Sequence, residues 1–310
     1  MNKPKKFSGV LTPVITPFKE DFSPDSSRLL KQCKWMLSHD VGLAVFGTNS
    51  EANSLSVNEK MRLMDDLVEG GITPDRMMPG TGCCALSDSI ELTKHAVSLG
   101  AGGTLMLPPF YYKDVSDEGL YASYSEIIQQ VADTKLQIYL YHIPPVSNIP
   151  LNLGLIERLI KNYPNTIAGI KDSSGDWENT KCMLDSGWDD FRIFVGAETF
   201  LLDNMRNGGA GCISATANVN PGAITTLFNN WNSDEANELQ RNLDKVRDVF
   251  LTFPMIPALK AATGLYSEDQ NWFLVRPPLK PLSQIQIKKL LKALKDINFK
   301  MPGLNSIQNQ

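Results

Sequence analysis

IAGIKDSSGD, residues 167–176, is a short apolar run closed by a lysine and opening into a Ser/Gly-rich loop. The run does not alternate apolar with polar residues. It therefore reads as a parallel strand covered on both faces rather than one lying half in solvent. Seven further runs share its form, at 10–15, 41–46, 76–79, 103–107, 136–141, 192–195 and 210–214. Their C-terminal ends recur about every 28 residues, close to the roughly 30 residues that one strand–helix unit occupies. Eight such units predict an α/β chain folded as a (β/α)8 TIM barrel. A doubly wound open sheet is the competing architecture, because alternation of elements does not by itself demand closure.

Amphipathic stretches fill the intervals. Residues 26–38 set Leu29, Leu30, Cys33 and Leu37 on one face. Residues 117–132 open with acidic side chains that suit a helix N-terminus, and 151–162 is stopped by Pro164. After residue 232 the rhythm changes, and 233–251 and 283–297 read as long helices with no strand between them. The expected division is a barrel over 1–232 and a C-terminal helical extension over 233–310.

Composition narrows the function. Among 310 residues, 30 Lys+Arg against 34 Asp+Glu give a net charge of −4, which argues against nucleic acid as a partner. Hydrophobic residues at 42% and charged residues at 21% are those of a globular chain able to bury a large core. No apolar run reaches the roughly 18 residues of a membrane span. MNKPKKFSGVLTP (1–13) lacks the apolar centre of a secretory signal. Cys33, Cys83, Cys84, Cys182 and Cys212 are scattered without a CxxC, as in a cytoplasmic protein with reduced thiols. His39, His95 and His142 lie at no metal-site spacing, so no metal is expected.

Barrel enzymes carry their chemistry at the C-terminal ends of strands. Lys171 is the one lysine at such an end. Partial desolvation favours an uncharged amine, which attacks a ketone to form a Schiff base. The competing role is an ammonium that snorkels to solvent or pairs with Asp172. Tyr141, one strand away, is placed to move protons, or else to serve as a core aromatic with a satisfied hydroxyl. Thr48 adds a hydroxyl to the same network. The backbone at Thr48 and Asn49 suits a carboxylate, though a Gly-Thr-Asn turn is common without one. His142 follows Tyr141 and points to the opposite face of a continuing strand, a structural place. Cys83 and Cys84 have no basic partner nearby in sequence and read as small packing residues.

Taken together, these segments resemble the dihydrodipicolinate synthase / N-acetylneuraminate lyase family of pyruvate-dependent class I aldolases. GVLTPVITPF (9–18) looks like the family's first strand, and GTNSE (47–51) is similar to its GTTGE or GSTGE loop. PPFYYKDVSDEGL (108–120) resembles the fourth loop and helix, and YHIPPVSNIPL (141–151) the Y-N-x-P segment. IAGIKDSSGD resembles the Schiff-base strand and GCISATANVNP (211–221) the eighth strand and loop. The resemblance implies a carbon–carbon lyase in which Lys171 forms an imine with pyruvate or another 2-oxo acid and Tyr141 moves the protons. It implies that Thr48 links Tyr141 to Tyr112, a residue the family inserts from a neighbouring subunit, and hence a homotetramer of two tight dimers. The backbone at Thr48 and Asn49 would bind the pyruvate carboxylate, and Gly196 and Ile213 would line the pocket. The protonated imine is itself the electron sink, so no cofactor is implied. The partners are pyruvate and an aldehyde.

The sequence also departs from the family. Asn49 and Ser50 replace a Thr and a Gly of the GTTGE loop. Val146 stands where dihydrodipicolinate synthases carry an arginine for the carboxylate of aspartate semialdehyde, and valine makes no bidentate pair with a carboxylate. Gly196-Ala197-Glu198-Thr199 replaces the Gly-Tyr-Asp-Glu of neuraminate lyases. Val57 and Lys60 stand where lysine-sensing synthases tend to carry histidines, so lysine feedback is not expected. The expected reaction is reversible aldol cleavage of a 2-keto-3-deoxy sugar acid-like substrate, with Val146, Asn49, Glu198 and Ser147 near a neutral polyhydroxy aldehyde. The alternatives are a 4-hydroxy-tetrahydrodipicolinate (dihydrodipicolinate) synthase, with Lys113 the nearest stand-in for the arginine, and a non-catalytic 2-oxo-acid-binding barrel.

Overall fold

The structure, a computed structural model, describes residues 5–308. Met1–Pro4 of the basic start and Asn309 and Gln310 of the expected extension lie outside the described residues. Among the described residues, seven parallel strands form one sheet: β1 (Gly9–Thr12), β2 (Gly42–Leu43), β3 (Thr104–Met106), β4 (Ile138–His142), β5 (Ile167–Asp172), β6 (Arg192–Val195) and β7 (Gly211–Ile213). They are ordered β2-β1-β7-β6-β5-β4-β3. Residues 77–81 run between the two edge strands. Met78 and Gly80 N–H donate to Leu43 and Val45 carbonyls, both at 2.8 Å, while Leu105 N–H donates to Pro79 O at 2.9 Å and Thr81 N–H to Leu105 O at 3.0 Å. The strand expected at 76–79 is thus a bridging segment rather than a ladder. Pro79 has no N–H to give, and a Cβ on Gly80 would lie 2.1 Å from Phe46 O, so the two backbones pass too close for a side chain. The run at 41–46 yields only Gly42–Leu43 as strand, because the chain turns at Phe46 with φ 61°.

β4 and β5 decide which way Tyr141 and Lys171 face. Ile138, Leu140, Ile167 and Ile170 pack outward beneath helices with Leu155, Ile156 and Leu159. Tyr139, Tyr141, Ala168, Phe194 and Ile213 fill the inside. Each fully buried Phe or Ile contributes about 1.5–3 kcal/mol. Ile138 is opposite Ile167, but Tyr139 is opposite Gly169, so β5 carries one extra residue there. Strand side chains alternate with a period of two, and a one-residue insertion exchanges faces. The bulge therefore sets Lys171 opposite Tyr141 on the inner face, and Asp172 opposite His142 on the outer one.

The helix at Ser26–Ser38 has the expected bounds, and the two long C-terminal helices span Ala236–Leu251 and Gln284–Asp296. Asp25, Ser56, Asn152 and Ser283 cap helices by accepting a backbone N–H. A further helix, Met255–Ser267, joins these two in the C-terminal region. Its Pro257 lies in the first turn, where a missing N–H costs nothing. It is bent by 108° from Ala236–Leu251, which brings residues of both helices to the mouth of the sheet. No single helix among the described residues is long and apolar enough to cross a membrane.

Candidate active site

At the C-terminal ends of the strands, Lys171 Nζ lies 3.2 Å from the Tyr141 hydroxyl and 4.2 Å from the centre of its ring. The Tyr141 hydroxyl is in turn 3.2 Å from Thr48 Oγ1. With the amine donating to Tyr141, the phenolic hydrogen is left to Thr48, giving a directed relay of amine, phenol and alcohol. Lys171 is only 2% exposed. Its side chain makes no ion pair with Asp172, the partner considered from sequence. The Asp172 carboxylate is already taken by Ser174 N–H at 2.9 Å, Ser174 Oγ at 3.1 Å, Asn179 Nδ2 at 3.0 Å and Thr180 Oγ1 at 2.6 Å. His142, on the same outer face, accepts Leu151 N–H on Nδ1 at 3.0 Å. Burial depresses its pKa, and the charge of Asp172 offsets this only in part.

Thr48 and Asn49 open a tight turn, Thr48–Ser50, whose shape is fixed from below. Ser50 Oγ accepts Gly47 N–H at 3.1 Å, and Thr16 Oγ1 donates to Ser50 O at 2.7 Å. Next in sequence, Glu51 is buried and forms an ion pair with Lys260, while accepting Arg276 N–H at 2.9 Å. The turn therefore cannot shift without disturbing a buried charge pair.

Lys171, Tyr141, Thr48 and Asn49 line a cavity of about 290 Å³, together with Gly196, Val146 and Ser173. A Cβ on Gly196 would fall 2.0 Å from Ser173 Oγ, so this stretch of wall admits no side chain. Val146 stands at the rim, 59% exposed. Other expected site residues lie elsewhere. Ile213 is packed inside the sheet beside Phe194 and does not line the cavity. Tyr112 is exposed outside it, edge-to-face with Tyr111 at 5.4 Å. Glu198, expected to face hydroxyl groups of the substrate, is 1% exposed, and its carboxylate accepts from Ser214 and Thr216. Ser147 turns its hydroxyl back to Ile143 O at 3.0 Å. Lys113 braces the rim by donating to Ser147 O at 2.7 Å and does not line the cavity. Cys83 does have a basic neighbour, since Lys60 is close enough to favour its thiolate, but burial outweighs it and raises the thiol pKa.

Four lining residues escaped the strand-end rule: Thr180, Phe200, Arg247 and Met255. Arg247 comes from the helix Ala236–Leu251 and Met255 from the helix Met255–Ser267. Nothing local marks them, because only the docking of those helices brings them to the mouth.

Comparison with known proteins agrees with this geometry. The dihydrodipicolinate synthetase family matches residues 6–297. A DapA-like lyase of Chloroflexus aurantiacus is 31% identical over 294 residues, covering 93% of this chain and 96% of that protein. A 4-hydroxy-tetrahydrodipicolinate synthase of Methanococcoides burtonii is 32% identical, covering 94% of this chain and 98% of the other. The crystal structure of dihydrodipicolinate synthase from Agrobacterium tumefaciens superposes with a TM-score of 0.86 at 29% identity, covering 93% of this chain and 99% of that one. With the match running nearly from end to end and the amine, phenol and alcohol gathered at the strand ends, the chain belongs to the dihydrodipicolinate synthetase family of lyases.

Proposed function

We propose that this lyase is a Schiff-base-forming aldolase acting on pyruvate or a related 2-oxo acid, on a barrel closed by the 77–81 segment. The observation that carries the reading is the relay in which Tyr141 OH lies 3.2 Å from both Lys171 Nζ and Thr48 Oγ1. The uncharged amine adds to the C2 carbonyl carbon. The carbonyl oxygen takes two protons, one given up by the attacking nitrogen through Tyr141 and one from solvent, and leaves as water as the C=N bond of the iminium forms. Loss of a C3 proton turns the iminium into an enamine, whose C3 attacks the aldehyde carbon while the aldehyde oxygen takes a proton. Addition of water then releases the aldol product and restores Lys171. The same steps in reverse cleave the product. The carboxylate of the 2-oxo acid rests against the backbone at Thr48 and Asn49, beside the side-chain-free wall at Gly196.

The favoured substrate is a 2-keto-3-deoxy sugar acid-like compound. Val146 leaves the rim without the guanidinium that would hold the carboxylate of aspartate semialdehyde. Tyr112, exposed on a monomer, completes the Thr48 end of a neighbouring site in a homotetramer of two tight dimers, which works in the cytoplasm. The division at residue 232 separates the barrel from the helices that cap its mouth.

Retro-aldol release of pyruvate from a panel of 4-hydroxy-2-oxo acids tests the reading. Release that disappears in Lys171→Ala is expected, and no release from any member would overturn it. A kcat/KM of about 10⁴ M⁻¹s⁻¹ or more with pyruvate and aspartate semialdehyde would instead assign the synthase reaction.

A further inference from the structure

The cavity holds a cation that the relay does not use. Arg247 projects from the helix Ala236–Leu251 and lines the cavity, with its side chain 14% exposed. Among the described residues its hydrogen-bonding partner is Glu198 alone, through a single long contact of 3.5 Å from Nη1 to Oε2. A guanidinium is a fork of several N–H donors, and buried donors seek acceptors. Most of this fork therefore remains available to oxygen atoms in the cavity.

Glu198 is not competing for that ligand. Its carboxylate is 1% exposed and takes the Ser214 hydroxyl on Oε2 and the Thr216 hydroxyl on Oε1. It is a fixed counter-charge behind the guanidinium. The helix is also stitched in place. Gln240 donates to Glu198 O at 3.0 Å and accepts Leu202 N–H at 3.1 Å, and Arg247 lies about two helical turns further on the same face. The field here is not positive. Asp244 accepts from Gln240 at 2.8 Å, and burial together with the charges of Glu198, Asp248 and Asp203 holds its carboxyl above the ordinary value.

We propose that Arg247 is the group that selects the aldehyde, donating to hydroxyl oxygens on the aldehyde-derived end of a neutral polyhydroxylated chain, with Glu198 as the positioning residue that aims the fork and cancels its charge. The inference rests on the Schiff-base reading above and adds to it the group that recognises the second substrate. A charged donor strengthens its hydrogen bond to a hydroxyl. A terminal anion, by contrast, would meet the carboxylate of Glu198 behind the guanidinium. The pair therefore rewards hydroxyls and gives an anionic aldehyde no comparable gain.

The test compares kcat/KM for pyruvate condensation with glyceraldehyde, with propanal and with glyceraldehyde 3-phosphate. In the unaltered enzyme, glyceraldehyde is expected to exceed propanal by about 10- to 150-fold, the range for hydrogen bonds to a charged group. It is also expected to exceed the phosphate. Arg247→Met should collapse the glyceraldehyde-to-propanal ratio towards one, and Glu198→Gln should shift preference towards the phosphate. A purely structural role would lower all three substrates together and leave the ratios in place, which would overturn the proposal. So would an unaltered enzyme that does not distinguish glyceraldehyde from propanal, or that prefers the phosphate, and both readings stand even if a variant fails to fold. Borohydride trapping of pyruvate on the same preparations separates the two layers. Trapping without hydroxyl selectivity rejects Arg247 alone, whereas absence of trapping rejects the Schiff-base reading and this inference with it.

Discussion

Lys171 and Lys260 are both buried amines laid over an aromatic ring, and they differ in what else they touch. Lys171 lies 4.2 Å from the ring centre of Tyr141 and meets a phenolic hydroxyl. Lys260 lies 4.4 Å from the ring centre of Phe18 and meets the Glu51 carboxylate and the Leu274 carbonyl, the latter at 2.8 Å. A carboxylate holds the proton on an amine and makes it a brace. A hydroxyl can pass the proton along and leave the lone pair free to react. Burial pulls the Lys260 pKa down to about 8 even though Glu51 pushes the other way. The brace ends on Glu51, next to the turn that carries Thr48, so Lys260 steadies the hydroxyl that meets Tyr141.

The contrast is broken most sharply at Lys171. Lys171→Ala is expected to cut turnover by about 10⁴-fold or more, the scale for removing a covalent nucleophile, as read by pyruvate release. Loss of less than about tenfold would move the chemistry elsewhere. Tyr141→Phe keeps the ring beneath the amine and removes the proton carrier. A fall of about 10²- to 10⁴-fold in kcat is expected, with urea unfolding little changed. Lys260→Met should act on stability instead, because an unpaired Glu51 would be stranded in the interior. The expected loss is about 3–5 kcal/mol in urea unfolding. Much of that loss should return in the double variant Lys260→Met with Glu51→Leu, since an apolar pair of similar volume strands no charge. The smallest effect is a pH slope. Burial holds the Lys260 pKa at about 8 in the folded chain, against 10.5 for a lysine in water. Between those values the unfolded chain binds more protons, and stability rises with pH. The gap in unfolding free energy between the unaltered protein and the double variant should therefore shift in favour of the former from about pH 8 to 10.5, by at most about 1.4 kcal/mol per unit. A gap that stays flat across that window would show that the pair holds its proton throughout it.

What was readable in the sequence was whatever a strand end carries locally. Lys171, Tyr141 and Thr48 each close an apolar run, and the rule about barrel mouths gathers them without further knowledge. The face that Lys171 takes was not readable. It depends on the extra residue in β5 beside Tyr139, and a period-two pattern in a run apolar throughout gives no sign of a bulge. The bridging segment at 77–81 fell short of a strand for an equally local reason, Pro79 and the tight passage at Gly80, which composition alone did not reveal. Arg247, Met255 and Lys260 were out of reach for a different reason. They sit on helices whose place is set by tertiary docking. Glu198 stood out as a charged residue beyond a strand end, yet Ser214 and Thr216 on the neighbouring strand's loop draw it inward.

If a hydroxyl partner makes Lys171 the nucleophile and a carboxylate partner keeps Lys260 inert, the two buried amines must part company towards a ketone. Incubation with pyruvate and borohydride, followed by peptide mass spectrometry, tests it directly, because both amines are present in one molecule under one set of conditions. The expected result is a single reduced pyruvyl group on Lys171 and none on Lys260. An adduct on Lys260, an adduct on another lysine in place of Lys171, or no adduct at all would contradict the account.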